Sequence, residues 1–107
     1  MSPVTLSTSP KSVTIFSKEK GCVQCNAMDR ALAKTDLHVT KLDGTTDENR
    51  EFCKDLGFTQ APVVVIYQDG VIIDKWSGFN PIKTGELKND PLVERTAPVE
   101  VRELIAA

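Results

Sequence analysis

Two cysteines three positions apart, Cys22 and Cys25, form the pattern with the clearest chemistry in this sequence. They follow an apolar, β-branched run at residues 13–16 and open a stretch with helical periodicity. A C-x-x-C motif at such a strand-to-helix junction is typical of a redox-active dithiol. Free N–H groups and the dipole at a helix N-terminus favour negative charge, so we expect a lowered pKa for the Cys22 thiol, with Cys25 as the shielded resolving thiol. The two residues between the cysteines are uncharged, so Lys18 and Lys20 are the candidates for any further effect on the pKa of the Cys22 thiol.

Around this motif the sequence predicts one α/β domain in which strands and helices alternate. Short β-branched or apolar runs indicate strands, and apolar residues three and four positions apart indicate helices. Asp69-Gly70 between two apolar runs is a strong hairpin signal. Two strand–helix crossovers followed by a hairpin give a mixed four-stranded sheet flanked by helices. The predicted strands are residues 13–16, 37–42, 63–67 and 71–79, and the predicted helices are residues 23–34, 45–56 and a third of uncertain length from 80.

Turn and capping residues set the predicted boundaries. Thr45 and Glu48 have the spacing of a capping box, which makes Thr45 the predicted N-cap of the second helix. Asn80-Pro81 has the order expected at the start of the third helix. We divide the chain into a flexible arm (residues 1–11), a core domain (12–88) and a C-terminal extension (89–107), in which residues 99–106 are a candidate short helix.

The composition limits the partners and the cellular compartment in which this dithiol chemistry could take place. The net charge of −2 and absence of a basic stretch argue against a nucleic-acid partner. No apolar signal-peptide region opens the chain, and the longest apolar run, residues 61–67, is too short to span a membrane. Three cysteines without an export signal favour the reducing cytoplasm, where cysteines serve catalysis or metal binding. We expect a cytoplasmic monomer.

Five motifs, in order and spacing, resemble the NrdH-redoxins, which are glutaredoxin-like in sequence and thioredoxin-like in behaviour. They are Cys-Val-Gln-Cys at 22–25, Arg-Ala-Leu at 30–32, Leu-Gly-Phe at 56–58, Gln-Ala-Pro-Val-Val at 60–64 and Trp-Ser-Gly-Phe at 76–79. The resemblance covers residues 12–88. The chain departs from the family's pattern with Met28 where Thr is usual, with Asn80 where Arg is usual, and with a longer hairpin and an extra tail.

The resemblance implies a thioredoxin fold and a protein-disulfide reductase. Members of this family pass electrons from thioredoxin reductase, which takes them from NADPH, to the class Ib ribonucleotide reductase. By matching position, Cys22 is the nucleophile and Cys25 the resolver. The redox-active Cys22–Cys25 disulfide would need no bound cofactor, and Pro62 would be a cis-proline that faces it.

The resemblance also implies a surface for protein partners beside the dithiol. Within that surface we predict that Trp76 is partly exposed, because Asp74 lies between Ile72 and Trp76 on the same face of a strand. Aromatic residues of this kind are enriched at interface hot spots. The predicted partner-binding residues are Val23, Gln24, Ala61, Pro62, Trp76, Ser77, Gly78 and Phe79.

Two other functions fit parts of the sequence. A glutathione-dependent glutaredoxin has the same dithiol, but such proteins typically hold glutathione with Thr-Val-Pro and an acidic pair, where this chain has Gln60-Ala61-Pro62 and no acid at 77–80. A zinc site usually takes four ligands, and only Cys53 and His38 could supplement the motif. An iron–sulfur cluster shared by two chains would have no further cysteine support. We expect instead that Cys53 is a core residue and that His38 is solvated, with no metal bound.

Overall fold

The computed structural model describes residues 8–96. The strands in this range are β1 (Lys11–Ser17), β2 (Val39–Asp43), β3 (Val63–Gln68) and β4 (Val71–Ser77), and the helices are α1 (Val23–Ala33), α2 (Asp47–Asp55) and α3 (Pro81–Asn89). The four strands form one mixed sheet in the order β2-β1-β3-β4. β1 pairs in parallel with β2 and antiparallel with β3, which pairs antiparallel with β4. The predicted mixed four-stranded sheet is therefore confirmed.

The burial of each strand follows its composition. The first four residues of β3, all Val or Ile, are buried, which is the pattern of a central strand covered on both faces. β2 is exposed at four of its five positions and lies at the edge of the sheet, as its weak alternation predicts. At the β3–β4 hairpin, Asp69 and Gly70 both have positive φ, at 56° and 76°, as a type I′ two-residue turn requires.

The helices cover the two faces of the sheet and create two apolar clusters. The cluster on one face includes Met28 from α1 and Leu87 from α3, packed against strand residues such as Val64. The cluster on the other face includes Cys53 from α2 beside Phe16. Cys53 is buried and unpaired, which confirms its predicted place in the core. None of the described helices has the length and apolar character that a membrane span requires.

The N-cap of α2 is Thr46, so the prediction of Thr45 is wrong. Thr46 Oγ1 accepts a hydrogen bond from the backbone N–H of Asn49 at 3.2 Å. Thr45 is instead held by Asp43, whose Oδ1 accepts from both the hydroxyl (2.6 Å) and the backbone N–H (2.8 Å) of Thr45. These two bonds lower the pKa of Asp43. Because Thr45 is held in a turn by Asp43, the helix begins one residue later than predicted.

The segment that follows α3 pairs with the first residue of β1. The backbone N–H of Lys11 donates to the Leu92 carbonyl at 2.7 Å, and the N–H of Glu94 donates to the Lys11 carbonyl at 2.9 Å. Between these two bonds, Val93 is 1% exposed and joins the cluster under α1 and α3. Lys11, which we assigned from sequence to the flexible arm, is thus the first residue of β1.

The same segment also contacts the chain just before β2. The N–H of His38 donates to the Glu94 carbonyl at 2.9 Å, and the N–H of Thr96 donates to the Asp36 carbonyl at 2.7 Å. Arg95 pairs with the Asp36 carboxylate at 3.1 Å. Residues 92–96 therefore fill the gap between the starts of β1 and β2, although the sequence assigns them to an extension. His38 is exposed, as expected, and the candidate helix at 99–106 lies outside the described residues.

Candidate active site

The dithiol lies where β1 leads into α1. Gly21 has a φ of 71°, which permits the turn, and Cys22 is the N-cap of the helix. The backbone N–H of Cys25 donates to Cys22 Sγ at 3.1 Å, so the sulfur takes the place of a capping oxygen. A hydrogen-bond donor and the positive end of the helix dipole both favour a thiolate at Cys22. Cys22 and Cys25 form a disulfide with Cα atoms 5.2 Å apart.

The two cysteines differ sharply in exposure. Cys22 is partly exposed, whereas Cys25 is 1% exposed. The backbone N–H of Lys18 lies 3.5 Å from Cys25 Sγ and donates to it. Among the buried residues of the described chain, the polar ones are Ser17 and Thr84, so no buried carboxylate is available to take a proton from Cys25. A backbone amide is therefore the polar group that the structure places at the inner sulfur.

The loop before β3 faces the dithiol. The Ala61–Pro62 peptide bond is cis, which confirms the prediction made from the family resemblance. Cys22 Sγ lies 3.8 Å from the Ala61 carbonyl oxygen. An open groove of about 320 Å³ separates the loop from the motif. Its lining residues are Lys18, Gly21, Cys22, Val23, Gln24, Thr59, Gln60 and Ala61.

Trp76 is buried, so the prediction that it is partly exposed is wrong. The side chain is 8% exposed and packs in the cluster under α1 and α3. Its neighbour Asp74 does not mark an open face, because the carboxylate pairs with Lys83 of α3 at 2.8 Å. The same Lys83 ammonium lies 5.4 Å from the centre of the Trp76 ring. Trp76 Nε1 has no hydrogen-bond partner among the described residues.

The three residues after Trp76 are tied to both sides of the groove. On the side of the proline loop, Ser77 Oγ donates to the Gln60 carbonyl at 2.7 Å and the Gly78 N–H donates to the Pro62 carbonyl at 2.8 Å. On the side of α1, the Phe79 N–H donates to Gln24 Oε1 at 2.9 Å. The structure thus brings the predicted partner-binding segments together around Cys22. No local sequence pattern reveals the last contact, since its residues are 55 positions apart.

Two strongly exposed apolar side chains lie in the elements that form the site. Val23, next to Cys22, is 80% exposed, and Ile82, in the first turn of α3, is 76% exposed. Exposed apolar groups of this size are common at sites of protein contact when they lie together. The sequence prediction includes Val23 among the partner-binding residues and does not include Ile82.

The described chain shows no metal centre around these cysteines. Within residues 8–96 no three His, Cys, Asp or Glu side chains converge on a common point. Burial raises the pKa of the Cys53 thiol, which keeps it protonated and unreactive near neutral pH. The partly exposed, helix-capping Cys22 and the buried Cys25 support exchange between thiols and disulfides at these two sulfurs.

A sheet of this order, with a capped dithiol on the first helix and a cis-proline opposite, is a thioredoxin fold, and the protein is a thiol–disulfide oxidoreductase. The family model described as glutaredoxin matches residues 13–73. The chain belongs to the glutaredoxin family. No curated protein sequence matches it significantly.

The chain is similar to solved structures of a glutaredoxin-like protein and of thioredoxins. The glutaredoxin-like protein NrdH-redoxin from Escherichia coli, described as having a thioredoxin-like activity profile, is similar with a TM-score of 0.62 and 31% identity, over 75% of this chain and 99% of that one. Oxidised mitochondrial thioredoxin 3 from Saccharomyces cerevisiae has a TM-score of 0.57 and 29% identity, over 77% and 79%. Thioredoxin f from spinach chloroplast has a TM-score of 0.57 and 25% identity, over 73% and 72%. The protein is thus glutaredoxin-like and similar to NrdH-redoxin.

Proposed function

We propose that this protein carries electrons from thioredoxin reductase to a class Ib ribonucleotide reductase through the Cys22–Cys25 dithiol. The observation that carries the proposal is the position of Cys22, whose sulfur caps α1 at the partly exposed end of a dithiol while Cys25 is buried. The similarity to an NrdH-redoxin with a thioredoxin-like activity profile supports the choice of reductase. The class Ib ribonucleotide reductase is the substrate that the resemblance of the sequence motifs implies. NADPH supplies the electrons only through the reductase, and no cofactor binds this chain.

Disulfide reduction takes two exchange steps at these sulfurs. The Cys22 thiolate attacks one sulfur of the substrate disulfide, and the other substrate sulfur leaves as a thiolate that takes a proton from water. Cys25 then gives its proton to water and attacks Cys22 Sγ, which breaks the mixed disulfide and releases the second substrate sulfur as a thiolate that takes up a proton. The dithiol has given two electrons and ends as the Cys22–Cys25 disulfide. The reductase reverses both steps.

The geometry supports these roles in three ways. The Cys25 N–H, 3.1 Å from Cys22 Sγ, stabilises the attacking thiolate. The Lys18 N–H, 3.5 Å from Cys25 Sγ, stabilises negative charge on the resolving sulfur as it forms. The Ala61 carbonyl and the groove beside it give an extended partner segment a backbone to pair with next to the reacting sulfur.

Glutathione is the competing reductant, because the chain belongs to the glutaredoxin family. Glutathione carries two carboxylates and an ammonium group, and residues 77–80 offer no carboxylate for the ammonium. The Asn80 amide oxygen is already used, since it accepts from the Lys83 N–H at 3.0 Å as the cap of α3. The Gln60 carbonyl is also occupied, by Ser77. We therefore expect reduction by glutathione to be slow.

The test offers each reductant in turn to the oxidised protein. Thioredoxin reductase with NADPH should reduce the Cys22–Cys25 disulfide quickly, and glutathione with glutathione reductase should be slow. Cys22→Ser should abolish reduction of a protein disulfide, and Cys25→Ser should accumulate a mixed disulfide that mass spectrometry detects. Cys53→Ser is the matched control and should keep turnover. Fast turnover with glutathione alone would establish a glutaredoxin, and activity in Cys22→Ser would overturn the assigned roles.

A further inference from the structure

The side chain of Gln24 is hydrogen-bonded to the protein's own backbone. Gln24 belongs to the first turn of α1 and is exposed, yet its Oε1 accepts the Phe79 N–H at 2.9 Å. Because only an oxygen can accept from that N–H, the contact also fixes which way the amide is turned. Among the hydrogen bonds of residues 77–79, this is the one that reaches the helix of the dithiol.

Gly78 shows that this contact is close as well as specific. Its φ is 86°, a conformation that side chains rarely adopt. A Cβ at this position would lie 2.8 Å from Gln24 Oε1, which is closer than real Cβ atoms approach an oxygen. The glycine therefore serves two purposes, since it makes the turn and leaves space for the glutamine. Gln24 and Gly78 fit each other although the sequence separates them.

We infer that Gln24 is a positioning residue for the docking of protein disulfides, which deepens the proposed function and rests on it. By holding the Gly78–Phe79 backbone against α1, Gln24 fixes one wall of the surface on which an extended partner segment lies beside Cys22. The inner side of that wall is fixed separately, because Phe79 packs against the cluster that contains Trp76. Loss of the Gln24 acceptor thus releases only the solvent-facing backbone of Gly78 and Phe79, and the Phe79 N–H then bonds to water.

This arrangement separates the effects on docking from those on chemistry and stability. The contact is exposed, so its loss costs the fold no more than one hydrogen bond of ordinary net strength. The backbone groups nearest the reacting sulfurs are the N–H groups of Cys25 and Lys18 and the Ala61 carbonyl, and none of them involves the Gln24 side chain. A small disulfide needs only those sulfurs, whereas a protein disulfide also needs the wall. Substitution of Gln24 should therefore change the ratio of the two activities.

The experiment compares insulin, a protein disulfide, with 4,4′-dithiodipyridine, a small uncharged one. Gln24→Met removes the acceptor at nearly constant length. It should lower kcat/KM for insulin by about three- to tenfold, the factor that one hydrogen bond of ordinary net strength represents, mainly through KM. The small-disulfide rate should stay within about twofold, since the groups at the sulfurs are unchanged. Asn26→Met changes an exposed amide on the same helix whose described hydrogen bonds do not reach residues 77–79, so it is the matched control and should change neither rate.

A conservative variant separates positioning from direct contact. Gln24→Glu keeps an oxygen that accepts from the Phe79 N–H but replaces the amide NH₂. Its charge acts on Cys22 with both substrates alike, so the ratio of insulin to small-disulfide activity should return to the wild-type value. Hydrogen exchange at the Phe79 amide should be faster in Gln24→Met and protected again in Gln24→Glu.

Each other outcome has a definite meaning. An equal loss with both substrates would show that Gln24 acts on the Cys22 thiolate, and no loss with either would show that the wall does not depend on it. A ratio that Gln24→Glu fails to restore would show that partners contact the amide directly. Any of these three results would overturn the inference. Failure of thioredoxin reductase to reduce the wild-type protein would instead refute the proposed electron source and leave the ratio test intact.

Discussion

Val93→Ala tests whether residues 92–96 belong to the folded domain. Val93 is 1% exposed and packs in the same apolar cluster as Val13 of β1 and Leu37, which lies just before β2. Truncation to alanine removes two buried carbon atoms, worth about 0.8 kcal/mol each by transfer. The cavity left behind adds a further contribution, so we expect a loss of about 2–3 kcal/mol in the free energy of unfolding. In a domain of this size that corresponds to a decrease in Tm of roughly 10–20 °C.

The chain offers a matched control at Val71, which is 61% exposed at the start of β4. Val71→Ala removes the same atoms from a position that water already reaches, so it should cost less than about 1 kcal/mol. Guanidinium unfolding of both variants, with the Cys22–Cys25 disulfide kept oxidised, gives the comparison. Reduction of a small disulfide should be unchanged in folded Val93→Ala, because Val93 lies beside Lys11, at the end of β1 opposite the dithiol. A cost for Val93→Ala no larger than that for Val71→Ala would refute the packing of this segment.

Three further predictions concern buried or paired groups. Cys53→Ala should leave turnover intact and cost about 1 kcal/mol of stability, measured by guanidinium unfolding; a large loss of turnover would give Cys53 a redox role. Lys11, 2.6 Å from Asp90, lowers the pKa of that carboxyl, so the pair's contribution is present above the unfolded pKa and lost as pH falls through the lowered folded value. Asp90→Asn should therefore be less stable than wild type at pH 7, with a difference that shrinks in acid; a constant difference would exclude ionisation as its cause. Trp76→Ala should destabilise the fold by about 3–5 kcal/mol in thermal unfolding; a stable variant that is defective only towards protein partners would restore Trp76 as a docking residue.

Local sequence patterns predicted the features that depend on local physics. The hairpin needs two residues with positive φ, and Asp69-Gly70 supplies them. The apolar run of β3 requires burial on both faces and therefore a central position. The dithiol is recognisable because Cys22 caps a helix. The three-residue spacing puts the backbone N–H of Cys25 within hydrogen-bond reach of the Cys22 sulfur.

The misses arise where a distant residue decides the outcome. Asp74 beside Trp76 indicated an open face, but Lys83 neutralises Asp74 and α3 covers the tryptophan. Leu92 and Val93 are a short apolar pair with no period around them, so nothing local marks Val93 as buried. Its burial depends on the gap between β1 and β2, which exists only after the sheet has formed. Gln24 is exposed and uncharged, and its partner Phe79 is identifiable only in three dimensions.

The hydrogen bond between Lys11 and Glu94 lies at the end of β1 opposite the dithiol. β1 extends from Lys11 to Ser17, and six residue steps at about 3.3 Å separate that hydrogen bond from the dithiol end by roughly 20 Å. A fluorophore, an affinity handle or a fused domain attached near residue 8 or residue 96 would thus leave the fold from the end opposite Cys22. Attachment at that end would leave the dithiol end of the sheet open to a partner.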